Sequence, residues 1–161
     1  MIEVIKSVPT MQDRIRQLQR EQTSLGFVPT MGSLHEGHLS LADIAKAHTD
    51  FVIMSSFVNP TQFGEGEDFE KYPRDADRDR RLAQDRGVDL LFFPPVDEMY
   101  PDSYHTYVEV EDLTDRLCGA SRPEHFRGVT TVVTKLLNIV QPDVAVFGQK
   151  DAQQAIVLKQ L

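Results

Sequence analysis

The chain has 161 residues, 40% of them hydrophobic and 26% charged, with a formal net charge of −8 and a sequence pI near 5.0. That is enough for one domain with a real core, and the composition is that of a soluble globular protein, not a disordered or fibrous one. The acidic balance disfavours nucleic acid as a main partner, because a phosphate backbone calls for a basic surface; a small anionic ligand held by local donors stays open. The single cysteine, Cys118, excludes an intrachain disulfide and a thiolate metal cluster. Met1 to Lys6 lack the features of a signal peptide, and no apolar run approaches the ~18 residues that span a membrane. The expectation is a cytoplasmic protein with no membrane segment.

Val4 to Pro9 read as a short edge strand, and Pro9-Thr10 as a helix entry. Met11, Ile15, Leu18 and Gln22 then recur at helical spacing, with Arg14, Arg16, Gln17 and Arg20 on the outer face. Leu25 to Pro29 is the first convincing strand. His38 to His48 follow as a helix, with Leu39, Ala42, Ile44, Ala45 and Ala47 on its apolar side. Phe51 to Val58 form a nearly continuous apolar run, the pattern of a parallel strand covered on both faces, which ends at Asn59-Pro60.

A polar loop through Glu65 to Asp68 leads to Pro73 and a charged helix, Arg74 to Arg86, closed by Gly87. Its alternating acids and arginines (Asp75, Asp77, Arg78, Asp79, Arg80, Arg81) read as a solvated face with i,i+4 pairs. Val88 to Phe93 form the next strand, stopped by Pro94-Pro95. Val96 to Gly128 are irregular, with a short strand at Tyr107 to Val110, and a connection this long points to function. Thr130 to Val140 make an apolar helix, Val144 to Phe147 a strand ending at Gly148, and Asp151 to Leu161 a helix. Strands with apolar cores alternating with helices predict an α/β fold with a parallel sheet. The chain stops inside an apolar helical pattern without a cap, which reads as a fragment of a longer protein.

Ligands of such sheets sit at the C-terminal strand ends, and three of those ends carry chemistry. The first is Met31-Gly32-Ser33-Leu34-His35-Glu36-Gly37-His38, where a strand feeds a glycine turn and a helix N-terminus. Backbone N–H groups without helical partners, together with the helix dipole, suit an anion there. His35 and His38 share one side of the helix if it has started by His35. They are either structural histidines or donors to phosphate oxygens whose charge grows during displacement at phosphorus. A zinc site needs a third ligand, and His48, His105 and His125 show no ligand-type spacing, so no metal centre is assigned.

The second end is Phe57-Val58-Asn59-Pro60-Thr61-Gln62-Phe63, and the third is Phe147-Gly148-Gln149-Lys150-Asp151-Ala152-Gln153-Gln154. Lys150 can reach a phosphate and Asp151 ribose hydroxyls or a divalent ion, or the two form a solvated pair at a helix start. Gln62 and Gln154 offer neutral donors and acceptors suited to a hydroxy acid. No GxxxxGK[ST] or GxGxxG pattern occurs, which argues against a P-loop NTPase or a dinucleotide dehydrogenase.

Taken together these stretches resemble the pantothenate synthetase (pantoate–β-alanine ligase) family. The matching motifs are Pro29-Thr30-Met31-Gly32 with Leu34-His35 and Gly37-His38; Phe57-Val58-Asn59-Pro60 with Gln62-Phe63; Ser121-Arg122-Pro123 with His125 to Val129; and Phe147-Gly148 with Lys150-Asp151 and Gln154. They stand in family order over nearly the whole chain. The first alone marks only the wider nucleotidyltransferase and class I synthetase group; the four together are specific.

The resemblance implies a Rossmann-like parallel sheet of that wider group, with residues 1–161 as an ATP- and pantoate-binding N-terminal domain. It implies a two-step reaction: pantoate attacks the α-phosphate of ATP to give pantoyl adenylate, and β-alanine then displaces AMP, with Mg²⁺ supporting the first step. Met31, Gly32, Ser33, Leu34, His35, Glu36, Gly37 and His38, with Gly148, Gln149, Lys150 and Asp151, would hold ATP. His38 would act as proton donor with His35 beside it. Gln62 and Gln154 would hold pantoate, Gln62 would also lie near β-alanine, and Arg122 would serve the carboxylate side. The loop Pro60 to Tyr72 would shield the labile adenylate from water. A homodimer is implied as well.

The family's C-terminal domain, with a Lys-Met-Ser-Ser-Arg-type loop that helps clamp the triphosphate, has no counterpart here. Pantoate binding, weakened ATP binding and little turnover are therefore expected of these residues alone. Two other classes fit the first turn: a nucleotidyltransferase that builds a dinucleotide cofactor, and a ligand-binding module without turnover.

Overall fold

Five parallel strands pair in the order β1-β4-β3-β2-β5, where β1 is Glu3–Ile5, β2 Leu25–Thr30, β3 Phe51–Ser56, β4 Leu90–Phe92 and β5 Val144–Ala145. The helices are α1 Val8–Arg20, α2 Glu36–His48, α3 Ala76–Asp85, α4 Val96–Met99, α5 His125–Val140 and α6 Ala152–Gln160. The computed structural model describes residues 1–112, 122, 124–149 and 152–161. The fold is α/β with a parallel sheet, as the strand and helix pattern predicts, and Rossmann-like, as the resemblance implies.

Alternation along each strand sends successive side chains to opposite sheet faces. Phe27 and Ile53 join Met11, Ile15 and Leu18 of α1 and Val129, Val132 and Leu136 of α5 in one apolar cluster. Val28, Val52 and Met54 join Ala42 and Ala45 of α2 and Ala83 of α3 in the other. Burial on both sides is why these strands read as unbroken apolar runs. The helices start where local chemistry lets them: the Ser7 hydroxyl accepts from Thr10 N–H at 3.1 Å with proline in the first turn of α1, a cap worth about 1 kcal/mol.

The sheet order places the site. From β2 the chain moves outward to β3 and β4, then returns across the sheet to set β5 on the other side of β2. The order reverses at β2, and the C-terminal ends of β5, β2 and β3 stand side by side, the crevice where open parallel sheets take ligands.

Several local expectations are corrected. Gln22 is exposed with φ of 56°, past the end of α1, because Thr23 N–H closes the helix onto Leu18 O at 3.1 Å. On α2 only Leu39, Ala42 and Ala45 are buried; Ile44 and Ala47 face solvent, since the sheet covers a narrower arc than the apolar residues define. Tyr107 to Val110 form no strand. Val108 N–H donates to the Thr131 hydroxyl at 3.0 Å, and the Thr130 hydroxyl donates to Val108 O, so α5 side chains satisfy this backbone where a strand neighbour would. The charged helix begins at Ala76, capped by Asp75, whose carboxylate accepts from Arg78 N–H at 3.0 Å. Its face is not wholly solvated, because Asp79 is buried.

Candidate functional site

At the end of β2 the Thr30 hydroxyl donates to Ser55 O at 2.7 Å and accepts from Gly32 N–H at 3.0 Å. Gly32 and Ser33 then take φ of 76° and 52°, a left-handed pair that turns successive N–H groups to one side, a concavity suited to an anion. The Asp79 carboxylate fills it: Oδ2 accepts from Ser33 N–H at 2.9 Å and Oδ1 from Leu34 N–H at 2.8 Å. Arg78, next to it on α3, donates to Leu34 O at 2.8 Å. A side chain at position 32 would have its Cβ 2.5 Å from Ser56 Oγ and 3.0 Å from Asp79 Oδ2, so glycine is required on both counts.

α2 starts with a capping box built from the histidines. His35 Nδ1 accepts from Gly37 N–H at 3.0 Å, and His38 Nδ1 accepts from His35 N–H at 3.3 Å, with ring centroids 4.0 Å apart. An imidazole nitrogen that accepts carries no proton, so each neutral ring bears its N–H at Nε2. The box thus sets the tautomer of both histidines and leaves their donors away from the backbone they cap. Gly37 permits it, since a Cβ there would sit 2.8 Å from His35 Cε1.

The turn after β3 is organised by Asn59, which is buried. Its Nδ2 donates to Gly128 O at 3.0 Å and to Gln62 Oε1 at 3.1 Å, while its Oδ1 accepts from the Thr61 hydroxyl at 2.9 Å. With its oxygen so engaged, Gln62 donates through Nε2 to Met31 Sδ at 3.0 Å. This bond joins the first two turns. The other side of the loop rests on the start of α5: His125 Nδ1 donates to Gln62 O at 3.1 Å, and a Cβ on Gly128 would lie 2.5 Å from Thr61 O.

Further along the loop, Arg122 Nε meets Glu67 Oε1 at 2.5 Å. That guanidinium and the Gly64 N–H hold the Glu67 carboxyl below its usual range. Beneath the loop, Tyr100 Oη lies 3.2 Å from the Thr61 hydroxyl, and burial pushes the Tyr100 phenol up to about 12. Lys135 Nζ stands 4.2 Å from the Tyr100 ring centre, and burial lowers the pKa of this lysine.

The third turn passes the flank of α2. A Cβ on Gly148 would meet only Leu41 Cδ1, at 3.9 Å. Gln149 is exposed and Gln154 half-buried on α6; Lys150 and Asp151, like Ser121 and Pro123 of the third motif, lie outside the described residues.

The family model described as pantoate-beta-alanine ligase matches residues 3–161. The chain belongs to this family. It is 60% identical over 160 residues to the pantothenate synthetase of Moorella thermoacetica, covering 99% of this chain and 56% of that protein. Against that of Heliobacterium modesticaldum it is 61% identical over 158 residues, covering 98% and 56%. The crystal structure of pantothenate synthetase from Thermus thermophilus superposes with a TM-score of 0.93 at 49% identity, over 99% of this chain and 56% of that one. A Francisella tularensis pantoate-beta-alanine ligase, complexed with beta-gamma ATP and beta-alanine, gives 0.93 at 40% identity, over 99% and 61%. The chain thus spans a little over half the length of the curated relatives it matches.

Against the residues that resemblance to the pantoate–β-alanine ligase family singles out, the structure brings the Met31–His38 turn and Gln62 into direct contact and sets Gly148 beside α2. Arg122 is paired with Glu67. Leu34 contributes through its backbone, its side chain being fully buried in the core. A cavity of about 280 Å³ opens on the far side of the same turn, between Met31, Ser33, Arg74, Asp79 and Pro95; neither histidine nor Gln62 lines it.

Sequence reasoning placed Asp79 and Arg78 on a solvated face and gave Gly128 only as part of the third motif, without the contacts they make. The one available signal for Asp79 was its i,i+4 relation to Ala83, which puts both on the buried face of α3.

Proposed function

We propose that this chain provides the nucleotide and hydroxy-acid half of an ATP-dependent ligase that condenses pantoate with β-alanine through a pantoyl-adenylate intermediate. The observation that carries the reading is the Gln62 Nε2–Met31 Sδ bond of 3.0 Å, which makes the hydroxy-acid loop and the nucleotide turn two walls of one crevice. Family membership supports the chemistry, as does the Francisella relative's complex with an ATP compound and beta-alanine.

In this reading the pantoate carboxylate approaches the α-phosphorus against like charge. The Nε2–H donors of His35 and His38 would hydrogen-bond to the phosphate oxygens, offsetting that repulsion and stabilising the charge that grows there. Lys150 and Asp151 would complete the nucleotide wall with Gly148 and Gln149. Gln62 and Gln154 would orient the hydroxy acid, and Arg122 would take a carboxylate by exchanging its Glu67 partner.

Mg²⁺ enters the proposal only as a companion of the nucleotide. The described residues contain no cluster of three or more acids or histidines that could hold a metal, and both oxygens of Asp79 are spent on backbone N–H groups. A homodimer and a cytoplasmic location belong to the same proposal; no helix among the described residues is long and apolar enough to cross a membrane.

Calorimetry with pantoate on the chain and on Gln62→Ala tests the hydroxy-acid wall. The expected result is binding that weakens about tenfold in the variant, the scale of one lost hydrogen bond. Equal heats for the two chains, or none for either, overturn the reading. Pyrophosphate exchange that depends on pantoate, not on a phosphorylated cofactor precursor, separates a ligase from a cofactor nucleotidyltransferase.

A further inference from the structure

The carboxylate of Asp79 sits where a phosphate would sit in a turn of this shape. It is 2% exposed, and its oxygens take the N–H groups of Ser33 and Leu34 at 2.9 and 2.8 Å. Those N–H groups belong to the left-handed step at Gly32 and Ser33, immediately before the His35–His38 capping box. α3 grips the same turn again through Arg78 Nη1 and Leu34 O at 2.8 Å.

A carboxylate only 2% exposed, with no cationic group of the described residues within direct hydrogen-bond range, is costly to bury unless its hydrogen bonds compensate. Among the described residues the nearest cation, Arg78 Nη1, stands 3.9 Å away. What the bonds fix is the entry to α2. Oriented N–H groups of a nest attract anions; with Asp79 in place, an arriving phosphate is denied these two donors and meets the histidine Nε2–H groups instead.

We propose that Asp79 is a positioning residue of the nucleotide site: an internal anion that occupies the turn's own phosphate nest and thereby holds the His35–His38 pair in the donor tautomer facing the nucleotide. It rests on the nucleotide reading above and adds a residue that acts through the histidines without touching substrate. α3 thus becomes part of the site's framework through Asp79 and Arg78.

Asp79→Asn is the direct test, because an amide keeps the shape but offers one oxygen and one NH₂ to two facing N–H donors, and one of the pair must turn away. Nitrogen-15 spectra of the histidines in the ligand-free chain read the tautomer, and titrations with ATP and with pantoate read the two walls. The expected outcome is an intact sheet by circular dichroism, mixed tautomers at His35 and His38, ATP affinity down by about tenfold or more, and pantoate affinity within about twofold. Unchanged tautomers with ATP affinity within about twofold of the parent overturn the proposal.

If the tautomers mix in the variant but the parent chain ignores ATP, the positioning role stands and the nucleotide reading fails. Should the Asn chain not fold, Arg78→Met decides the matter from the half-exposed side of the same clamp. A smaller loss confined to ATP supports the proposal, and no change in either ligand or tautomer overturns it.

Discussion

The two loops that meet at Met31 and Gln62 are held by opposite means. The turn from β2 to α2 is fastened from below: its N–H groups end on Thr30, Asp79 and the histidine rings, and Asp79 and Leu34 are both buried. The loop after β3 is fastened from the side. Asn59 ties its first turn to Gly128, while its outer part is held by the Phe63–Phe69–Tyr72 ring cluster, by Arg74 and by the Glu67–Arg122 pair, whose side chains are 31% and 41% exposed. The bonds to Thr30 and Asp79, buried or part-buried, are little affected by salt, whereas an exposed ion pair is screened and contributes at most about 1 kcal/mol. The turn after β2 is therefore held mainly by buried bonds, and the loop after β3 by buried bonds at its root and more exposed contacts at its rim.

Gly32→Ala strikes hardest at this contrast. A side chain there combines a disfavoured φ of 76° with Cβ contacts of 2.5 and 3.0 Å to Ser56 and Asp79, and a loss of about 3 kcal/mol is expected in urea unfolding. A loss under about 1 kcal/mol would show a pliable turn and end the comparison.

Gly128→Ala probes the root of the other wall. Its Cβ would press on the Thr61 carbonyl at 2.5 Å, backbone that can yield only by shifting Gln62. A cost of about 1–3 kcal/mol is expected, with weaker pantoate binding and unaltered histidine spectra. Altered spectra at His35 would mean that the walls are not independent.

Glu67→Gln is the mildest. Stability should change by less than about 1 kcal/mol, while amide exchange across residues 63–72 rises. Because Arg122 lowers the Glu67 pKa in the folded chain, the pair's contribution is complete above the ordinary carboxylate pKa and fades as pH falls through the lowered value. Parent and variant should converge once the pH has fallen below that lowered value and differ at neutral pH, less so in high salt. Exchange rates that stay equal at pH 7 would show that the rim does not depend on the ion pair.

Much of this arrangement is readable in the residues before any coordinates. Strands such as Phe51–Ser56 announce themselves because both faces are covered, and the turns are marked by residues with narrow uses, Gly32 and Asn59-Pro60 among them. What stayed hidden has long-range causes. Asp79 looks like one more acid in an Asp–Arg series, since its partners are backbone groups 45 and 46 residues away. The Tyr107–Val110 pattern is strand-like, yet its backbone is claimed by hydroxyls of Thr130 and Thr131. The tautomers of His35 and His38 follow only from which nitrogen faces an N–H. The Lys150 and Asp151 assignments fall outside the described residues.

The position of β5 has a consequence for how the chain is made. β2 is flanked on one side by β3, which follows directly, and on the other by β5, whose approach is secured when Leu25 N–H reaches the Asp143 carboxylate 118 residues later. Pairing across so long a span is slow, because loop closure must precede its reward. During synthesis the side of β2 that β5 takes stays unpaired until β5 itself has left the ribosome. For that interval this side of β2 is an open strand edge, vulnerable to pairing with another chain.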